Sequence, residues 1–234
     1  MNLPNPDSAP LLWLDETAVA VNKPAGLLVH NSTWAGPKET SLRQLVARQL
    51  GRQTYPIHRL DRPTSGVLLY ALSSEAARRW HDQLRQPDTR KVYLALARGR
   101  IDVPMTIDLP LKEGDVPRPA ITHIQPLHYN PNENVTLVAA RIETGRRHQI
   151  RRHLSRIAHQ IIGDTTYGKG RINHHFRERY HLHRLFLHAW TLDITHPYSG
   201  ERLHLEAGLP AELLQVISQL FPNMTMEPPT FDSV

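Results

Sequence analysis

The chain of 234 residues contains no cysteine. Disulfides, thiolate catalysis and cysteine-ligated zinc are therefore excluded, and the composition is typical of a protein from a reducing cytoplasm. No apolar run approaches the roughly 20 residues that a membrane-spanning helix needs. Residues 1–10 also lack the basic start and apolar core of a signal peptide. We therefore expect a cytoplasmic protein that does not enter a membrane.

Positive charge is concentrated in one part of the chain. The formal net charge is +6, but residues 141–184 alone contain 11 basic and 3 acidic residues. The remainder of the chain contains 17 basic and 19 acidic residues and is slightly negative. A solvated basic face is one interpretation of this segment. The other is that the segment binds a polyanion such as RNA.

The apolar pattern predicts more strands than helices, and the two do not alternate regularly. Strands are predicted at residues 11–22 (two short ones), 66–72, 91–98, 135–142, 185–194 and 203–205. Helices are predicted at 41–50 after Ser41, at 74–86 with Ser74 as cap, from Thr144-Gly145 to 157, and at 210–220. This order favours an α+β fold with a mixed, mostly antiparallel central sheet and flanking helices. We expect one domain at 11–221, with tails at 1–10 and 222–234.

The most polar cluster within apolar surroundings is the string Ile57-His58-Arg59-Leu60-Asp61-Arg62-Pro63-Thr64-Ser65-Gly66. It places the Asp61 carboxylate between two arginines, on a loop that enters an apolar strand. Neighbouring positive charge favours an ionised carboxylate, as a nucleophile or general base requires. A structural ion pair would have the same local sequence, so the string alone leaves both interpretations open.

The string His-Arg-Leu-Asp followed by Thr-Ser-Gly resembles the catalytic loop of the large-subunit/tRNA type of pseudouridine synthases, the RluA family. Further matches follow in the family's order, at Asn22-Lys23-Pro24-Ala25-Gly26, Lys91-Val92-Tyr93, Thr144-Gly145-Arg146-Arg147-His148-Gln149-Ile150-Arg151, Ile162-Gly163-Asp164 with Tyr167-Gly168, and Leu187-His188-Ala189. The resemblance spans roughly residues 11–209. It implies the pseudouridine synthase fold, with a catalytic cleft on the sheet.

Three further strings resemble family members that modify a uridine in the T-stem of tRNA. They are Arg62-Pro63-Thr64-Ser65-Gly66, Pro119-Ala120-Ile121-Thr122-His123 and Arg151-Arg152-His153-Leu154. Like those members, the chain is expected to lack an amino-terminal S4-like RNA-binding domain. The resemblance implies tRNA as the partner, with no obligate protein partner, and leaves ribosomal RNA as the alternative substrate.

The resemblance also implies the catalytic residues. Asp61 matches the family's nucleophile, which attacks either C6 of the base or C1′ of the sugar. Tyr93 matches the active-site tyrosine that stacks on the flipped base, although an ordinary strand aromatic has the same pattern. Arg151 matches the basic residue that pairs with the nucleophile, and Arg147, one turn earlier on the predicted helix, is the competing candidate.

Other residues are implied to bind the RNA. Arg59 resembles the residue that fills the space left by the flipped base. Ile150 and Leu187 are expected to form apolar walls of the base pocket, or else to belong to the core. The phosphate contacts expected from the third motif are Arg146, Arg152 and Arg156, and solvated helix charges are the alternative interpretation. The basic, histidine-rich segment 164–184 is expected to set specificity.

Two functions of other classes are weighed against this one. Fifteen histidines suggest a metal site, but the sequence has no His-Glu-x-x-His, and Glu178 is the only acid within residues 174–188. We therefore predict no metal. No cofactor is predicted either, because the isomerisation that the resemblance implies takes no electrons from outside and needs no activated donor. A non-catalytic RNA-binding protein on the same fold is the second alternative, and the full set of polar residues expected for chemistry argues against it.

Overall fold

The computed structural model describes residues 8–30, 40–222, 224–229 and 231. The predicted tails at 1–10 and 222–234 lie partly outside these described residues. Within them, the strands and helices in chain order are β1 (Leu11–Leu14), β2 (Ala18–Lys23), α1 (Leu42–Leu50), β3 (Tyr55–Pro56), β4 (Ser65–Ala71), α2 (Ser74–Gln83), β5 (Arg90–Arg98), β6 (Met105–Asp108), β7 (Leu111–Glu113), β8 (Val116–Arg118), β9 (Ile121–Asn130), β10 (Val135–Ile142), α3 (Gln149–Arg156), α4 (Gly170–Tyr180), β11 (Leu187–Thr195), β12 (Arg202–Glu206) and α5 (Ala211–Leu220). None of these helices combines the length and apolar character of a membrane span.

The chain forms two compact units. The first consists of the chain up to Thr89 together with Ala189–Gly208, and the second of Arg90–His188 together with the chain from Leu209. Each unit contains both strands and helices, so the α+β class predicted from the sequence is confirmed.

The first unit is built around β4, whose seven residues are all buried. β4 lies between β2 and β11 in the sheet, while β1 extends it beyond β2 and β12 pairs with β11. Such a central strand is expected to be apolar without alternation, because both of its faces are covered. The α2 helix contributes the fully buried Trp80, whose indole N–H donates to the Thr17 hydroxyl at 3.1 Å.

The second unit contains the antiparallel strands β5, β10, β9 and β6, in that spatial order. The β10 strand is buried at seven of its eight positions, in agreement with a place between two neighbours. The strands β7 and β8 form a separate two-stranded hairpin. The strands predicted near 66–72, 91–98 and 135–142 are confirmed.

Two predicted helices are corrected. The cap of α2 is Ser73 and not Ser74, because the Ser73 hydroxyl accepts from the Ala76 N–H at 3.0 Å, and the helix ends at Gln83. The helix predicted from Thr144-Gly145 begins only at Gln149. The sequence prediction also missed the α4 helix and the strands β6, β7, β8 and β9.

Candidate active site

The loop that contains Asp61 is hydrogen-bonded to a buried lysine. Lys23 ends β2 and is completely buried. Its ammonium donates to the backbone carbonyls of Thr64 at 2.8 Å, Pro24 at 2.9 Å and Arg62 at 3.1 Å. Two of these acceptors, Arg62 and Thr64, follow Asp61 in the loop. A buried charge is tolerable only when it is hydrogen-bonded in this way, so the lysine and the loop fix each other.

A second set of contacts joins the same loop to the turn after β2. The Gly26 N–H donates to the Arg62 carbonyl at 2.8 Å, and the Arg62 Nε donates back to the Gly26 carbonyl at 2.9 Å. The Thr64 N–H closes the loop on the Asp61 carbonyl at 3.0 Å. Asp61 itself is half-buried, whereas Arg59 is exposed. Hydrogen bonds therefore join the Lys-Pro-Ala-Gly and Leu-Asp-Arg-Pro-Thr segments to each other in the fold.

Gly66, the second residue of β4, lies where only a glycine fits. Its φ is +116°, and a Cβ added there would lie 2.0 Å from the Ala189 carbonyl oxygen of β11. No side chain fits this close approach of two backbones, and the backbone conformation itself favours glycine. The Thr-Ser-Gly string thus fixes where β4 begins.

Tyr93 and Arg151 belong to the second unit, whereas Asp61 belongs to the first. Tyr93 is half-buried on β5, where it pairs in register with Ala140 of β10. Lys91 lies two residues earlier and therefore on the same face of the strand. Burial lowers the pKa of Lys91.

Arg151 is buried on α3 and forms a two-pronged ion pair with the buried Asp164. The Arg151 Nε donates to Asp164 Oδ2 at 2.8 Å, and Nη2 donates to Oδ1 at 2.9 Å. Burial would raise the pKa of Asp164, but hydrogen bonds from Arg151 and from the Tyr167 N–H outweigh it and hold the pKa below its ordinary value. The Tyr167 ring centroid lies 5.2 Å from the Arg151 guanidinium carbon. The pairing of Arg151 with Asp61 stays a prediction.

The loop after Asp164 is fixed by this carboxylate and by α4. Asp164 Oδ1 accepts from the Thr166 and Tyr167 N–H groups at 2.9 and 3.0 Å. The Asn173 side chain of α4 donates to the Asp164 carbonyl at 2.8 Å and accepts from the Gly163 N–H at 2.9 Å. Residues outside the predicted site set, chiefly Asp164 and Tyr167, therefore position Arg151. The sequence signal that could have identified them was their place in the family-like strings Gly163-Asp164 and Tyr167-Gly168.

Gln149 explains the late start of α3. Its side-chain oxygen accepts from the Thr144 hydroxyl at 2.7 Å and from the Arg146 N–H at 3.0 Å. His148 then adopts a left-handed conformation with φ of 54°, which interrupts any helix before Gln149. Arg147 consequently lies in the turn before the helix, exposed, and not one helical turn before Arg151 as predicted.

The remaining predicted binding residues are either buried or hydrogen-bonded to the protein backbone, and their contacts with RNA stay a prediction. Ile150 on α3 and Leu187 at the start of β11 are each 4% exposed. The predicted phosphate contacts Arg146, Arg152 and Arg156 each donate to a backbone carbonyl of the segment around β7 and β8. Within the described part of the chain, no group of three or more potential ligands is arranged to hold a metal ion.

His153 on α3 makes stability depend on pH. It is fully buried between the Thr122 hydroxyl and the Leu109 carbonyl, each at 2.9 Å. Burial lowers its pKa, and Arg156 and Arg152 act in the same direction. The folded state therefore keeps the ring neutral, while the unfolded chain binds a proton below a pKa of about 6.5. As the pH falls from about 7.5 to 5.5, we expect the free energy of unfolding to fall by up to about 1.4 kcal/mol per pH unit from this group.

Urea unfolding at these two pH values checks the expectation. The wild type should lose more stability in acid than His153→Gln, which has no ionisable ring at this position. His81→Gln removes an exposed histidine of α2 and should keep the wild-type difference. Equal losses in the wild type and in His153→Gln would show that the buried ring is not responsible.

Comparison with known proteins identifies the family. The sequence model of the RNA pseudouridylate synthase family matches residues 17–156, more than half of the chain, including the Asp61 loop, Tyr93 and Arg151. The chain belongs to this family. The resemblance predicted from the motifs is thereby confirmed, and the mostly antiparallel α+β fold is shared with the family's solved structures.

Relatives of the chain agree with this assignment. The tRNA pseudouridine synthase C of Salmonella typhi is 40% identical over 230 residues, which cover 89% of this chain and 88% of the relative. The protein of the same name from Yersinia pestis is 42% identical over 219 residues, covering 84% of this chain and 85% of its own length. Among solved structures, Human RNA Pseudouridylate Synthase Domain Containing 1 superimposes with a TM-score of 0.72 and 25% identity, covering 90% of this chain and 87% of that one.

Proposed function

We propose that this family member isomerises a uridine of tRNA to pseudouridine, and that its target lies in the T-stem. The observation that carries the proposal is identity of about 40% with enzymes named tRNA pseudouridine synthase C over nearly nine-tenths of the chain. The concentration of basic residues in 141–184 supports an RNA substrate. We further propose that the enzyme acts in the cytoplasm and that its catalytic domain comprises residues 11–221.

The reaction needs positioned side chains and no outside reagent. The bond between C1′ and N1 breaks, C1′ bonds to C5, the proton on C5 leaves and N1 gains a proton. No electrons are supplied or removed, so the balance requires no cofactor. The target base must leave its stack to be reached, and single bases are extruded in this way by other enzymes that act on nucleobases.

Each predicted residue has a role in this scheme. Asp61 attacks as the nucleophile, on a loop that Lys23 holds in place. Tyr93 stacks on the flipped base and serves the removal of the C5 proton. Arg151 keeps the nucleophile ionised and oriented, and its own guanidinium is fixed by Asp164.

The parts of the site that bind the base are assigned in the same way. Arg59, exposed beside the loop, fills the gap that the base leaves in the stem. Ile150 and Leu187 form apolar walls of the base pocket.

The proposal is tested by tritium release from transcripts labelled with 5-³H-uridine, because bonding ribose to C5 expels that hydrogen. We expect release from tRNA at about one equivalent per molecule, and no release from a transcript whose T-stem uridine is changed to cytidine. Release from ribosomal RNA alone would favour the ribosomal substrate. Binding to tRNA without release from either RNA would favour a non-catalytic RNA-binding protein.

A further inference from the structure

The β7–β8 hairpin is an exposed element that cannot be stable by itself. All residues from 112 to 119 are exposed, and its strands have three residues each. An isolated two-stranded hairpin is at best marginally stable in water. Its position must therefore be fixed by contacts outside the hairpin.

Four side chains from α3 and the loop before it provide these contacts. Each donates to a backbone carbonyl of the hairpin or its flanks. The pairs are Arg146 Nε to Pro119 at 3.0 Å, Arg152 Nη2 to Lys112 at 3.1 Å, His153 Nε2 to Leu109 at 2.9 Å and Arg156 Nη1 to Pro110 at 2.8 Å. Hydrogen bonds to carbonyls fix the direction of each guanidinium without neutralising its charge, and among the described residues Arg146 alone of the three arginines also faces a carboxylate, that of Glu113.

The docked hairpin borders an open, basic cavity beside α3. The cavity has a volume of about 660 Å³ and is lined by Lys112, Glu113, Gly114, Arg147, Arg152 and Tyr167. Its single carboxylate, on Glu113, faces Arg146 at 3.8 Å. Among the described residues, neither the Lys112 ammonium nor the Arg147 guanidinium has an ion-pair partner. The cavity therefore holds an excess of positive charge that an anion would compensate.

We propose that this cavity binds a phosphodiester group of the RNA substrate, with Lys112 and Arg147 as its direct ligands. The proposal rests on the proposed function, and it identifies a site on the enzyme that binds the RNA backbone. The cavity is large enough for a phosphate with its attached sugar, and it is bordered by the exposed hairpin, so a continuous strand can pass. Lys112 and Arg147 supply charge for the phosphate, while Arg146 and Arg156 act as positioning residues that hold the hairpin.

The test is the salt dependence of tRNA binding by the full chain. Each lost phosphate contact lowers the slope of log K against log salt by roughly one unit, or about fourfold in affinity between 50 and 200 mM salt. Lys112→Gln and Arg147→Gln are therefore each expected to lower the slope by about one unit. Both side chains are exposed, so folding should not be affected.

Arg118→Gln is the matched control. It removes an exposed cation from β8 that does not line the cavity, and it should leave the slope unchanged. Unchanged slopes for both Lys112→Gln and Arg147→Gln in an active enzyme would overturn the proposal. Competition by uridine 5′-monophosphate as strong as that by an RNA stem would also overturn it, in favour of a mononucleotide. Absence of tritium release by the wild type would overturn the proposed function instead.

Discussion

Replacing Asp61 with asparagine is expected to abolish tritium release from 5-³H-uridine tRNA, with a loss on the order of 10⁴-fold or more in kcat. The neutral amide has nearly the shape of the carboxylate but cannot attack carbon as a nucleophile. The contacts that hold the loop use the backbone carbonyls of Arg62 and Thr64, which this substitution retains. The loss should therefore appear in kcat and not in folding or in tRNA affinity.

Single-turnover tritium release and filter binding with the same transcript separate these effects. Asp82→Asn is the control, since Asp82 is an exposed carboxylate on α2 of the same unit and should release tritium at the wild-type rate. If the Asp61→Asn variant kept more than about a tenth of the wild-type rate, Asp61 would not be the nucleophile, and the loop would act only in binding.

The local sequence predicted the elements whose signals are local. The buried β4 strand has a continuous apolar run, and Ser41 precedes α1, where its N–H donates to the Gln44 side chain at 2.9 Å. For these two segments, residues near in sequence determine the structure. The Asp61 loop was singled out by one short polar string, and the resemblance to the family gave Asp61 its predicted role.

The sequence did not reveal contacts made between distant segments. In the sequence, Lys23 resembles a turn residue before proline. Only the fold shows that its ammonium donates to carbonyls of the Asp61 loop, about forty positions away. The start of α3 was misplaced because the Gln149 side chain, and not helix propensity, decides the local backbone. The α4 helix was missed because its buried face has only Asn173, Phe176 and Tyr180 among charged neighbours.

The arginines of the third motif show how far charge patterns can be interpreted. The sequence predicted phosphate contacts at Arg146, Arg152 and Arg156, which stay a prediction, and the fold shows that each of them also donates to a carbonyl around the β7–β8 hairpin. Basic residues in a row do not distinguish a cation that organises the protein from one that faces the substrate. The uncompensated cations at Lys112 and Arg147 became visible only when the ion pairs of the fold were known.

Replacing Lys23 with methionine should lower both stability and turnover. Methionine fills much of the lysine volume, but it leaves the carbonyls of Pro24, Arg62 and the buried Thr64 without this donor. Unsatisfied buried polar groups cost about 1–3 kcal/mol each, and partial relaxation of the loop makes a total of about 3 kcal/mol reasonable. For a chain of this size, that corresponds to a fall in Tm of roughly 6–12 °C.

The catalytic consequence is measured well below the lowered Tm, where the variant remains folded. Because the loop that bears Asp61 loses its support, kcat for tritium release should fall by about tenfold or more, with a smaller change in KM, as for other losses of positioning. Lys169→Met, at an exposed lysine before α4, should change neither Tm nor kcat. A Lys23→Met enzyme with wild-type Tm and kcat would show that the buried ammonium is dispensable. A lowered Tm with full kcat would confine Lys23 to folding, leaving the orientation of Asp61 to the contacts between Gly26 and Arg62.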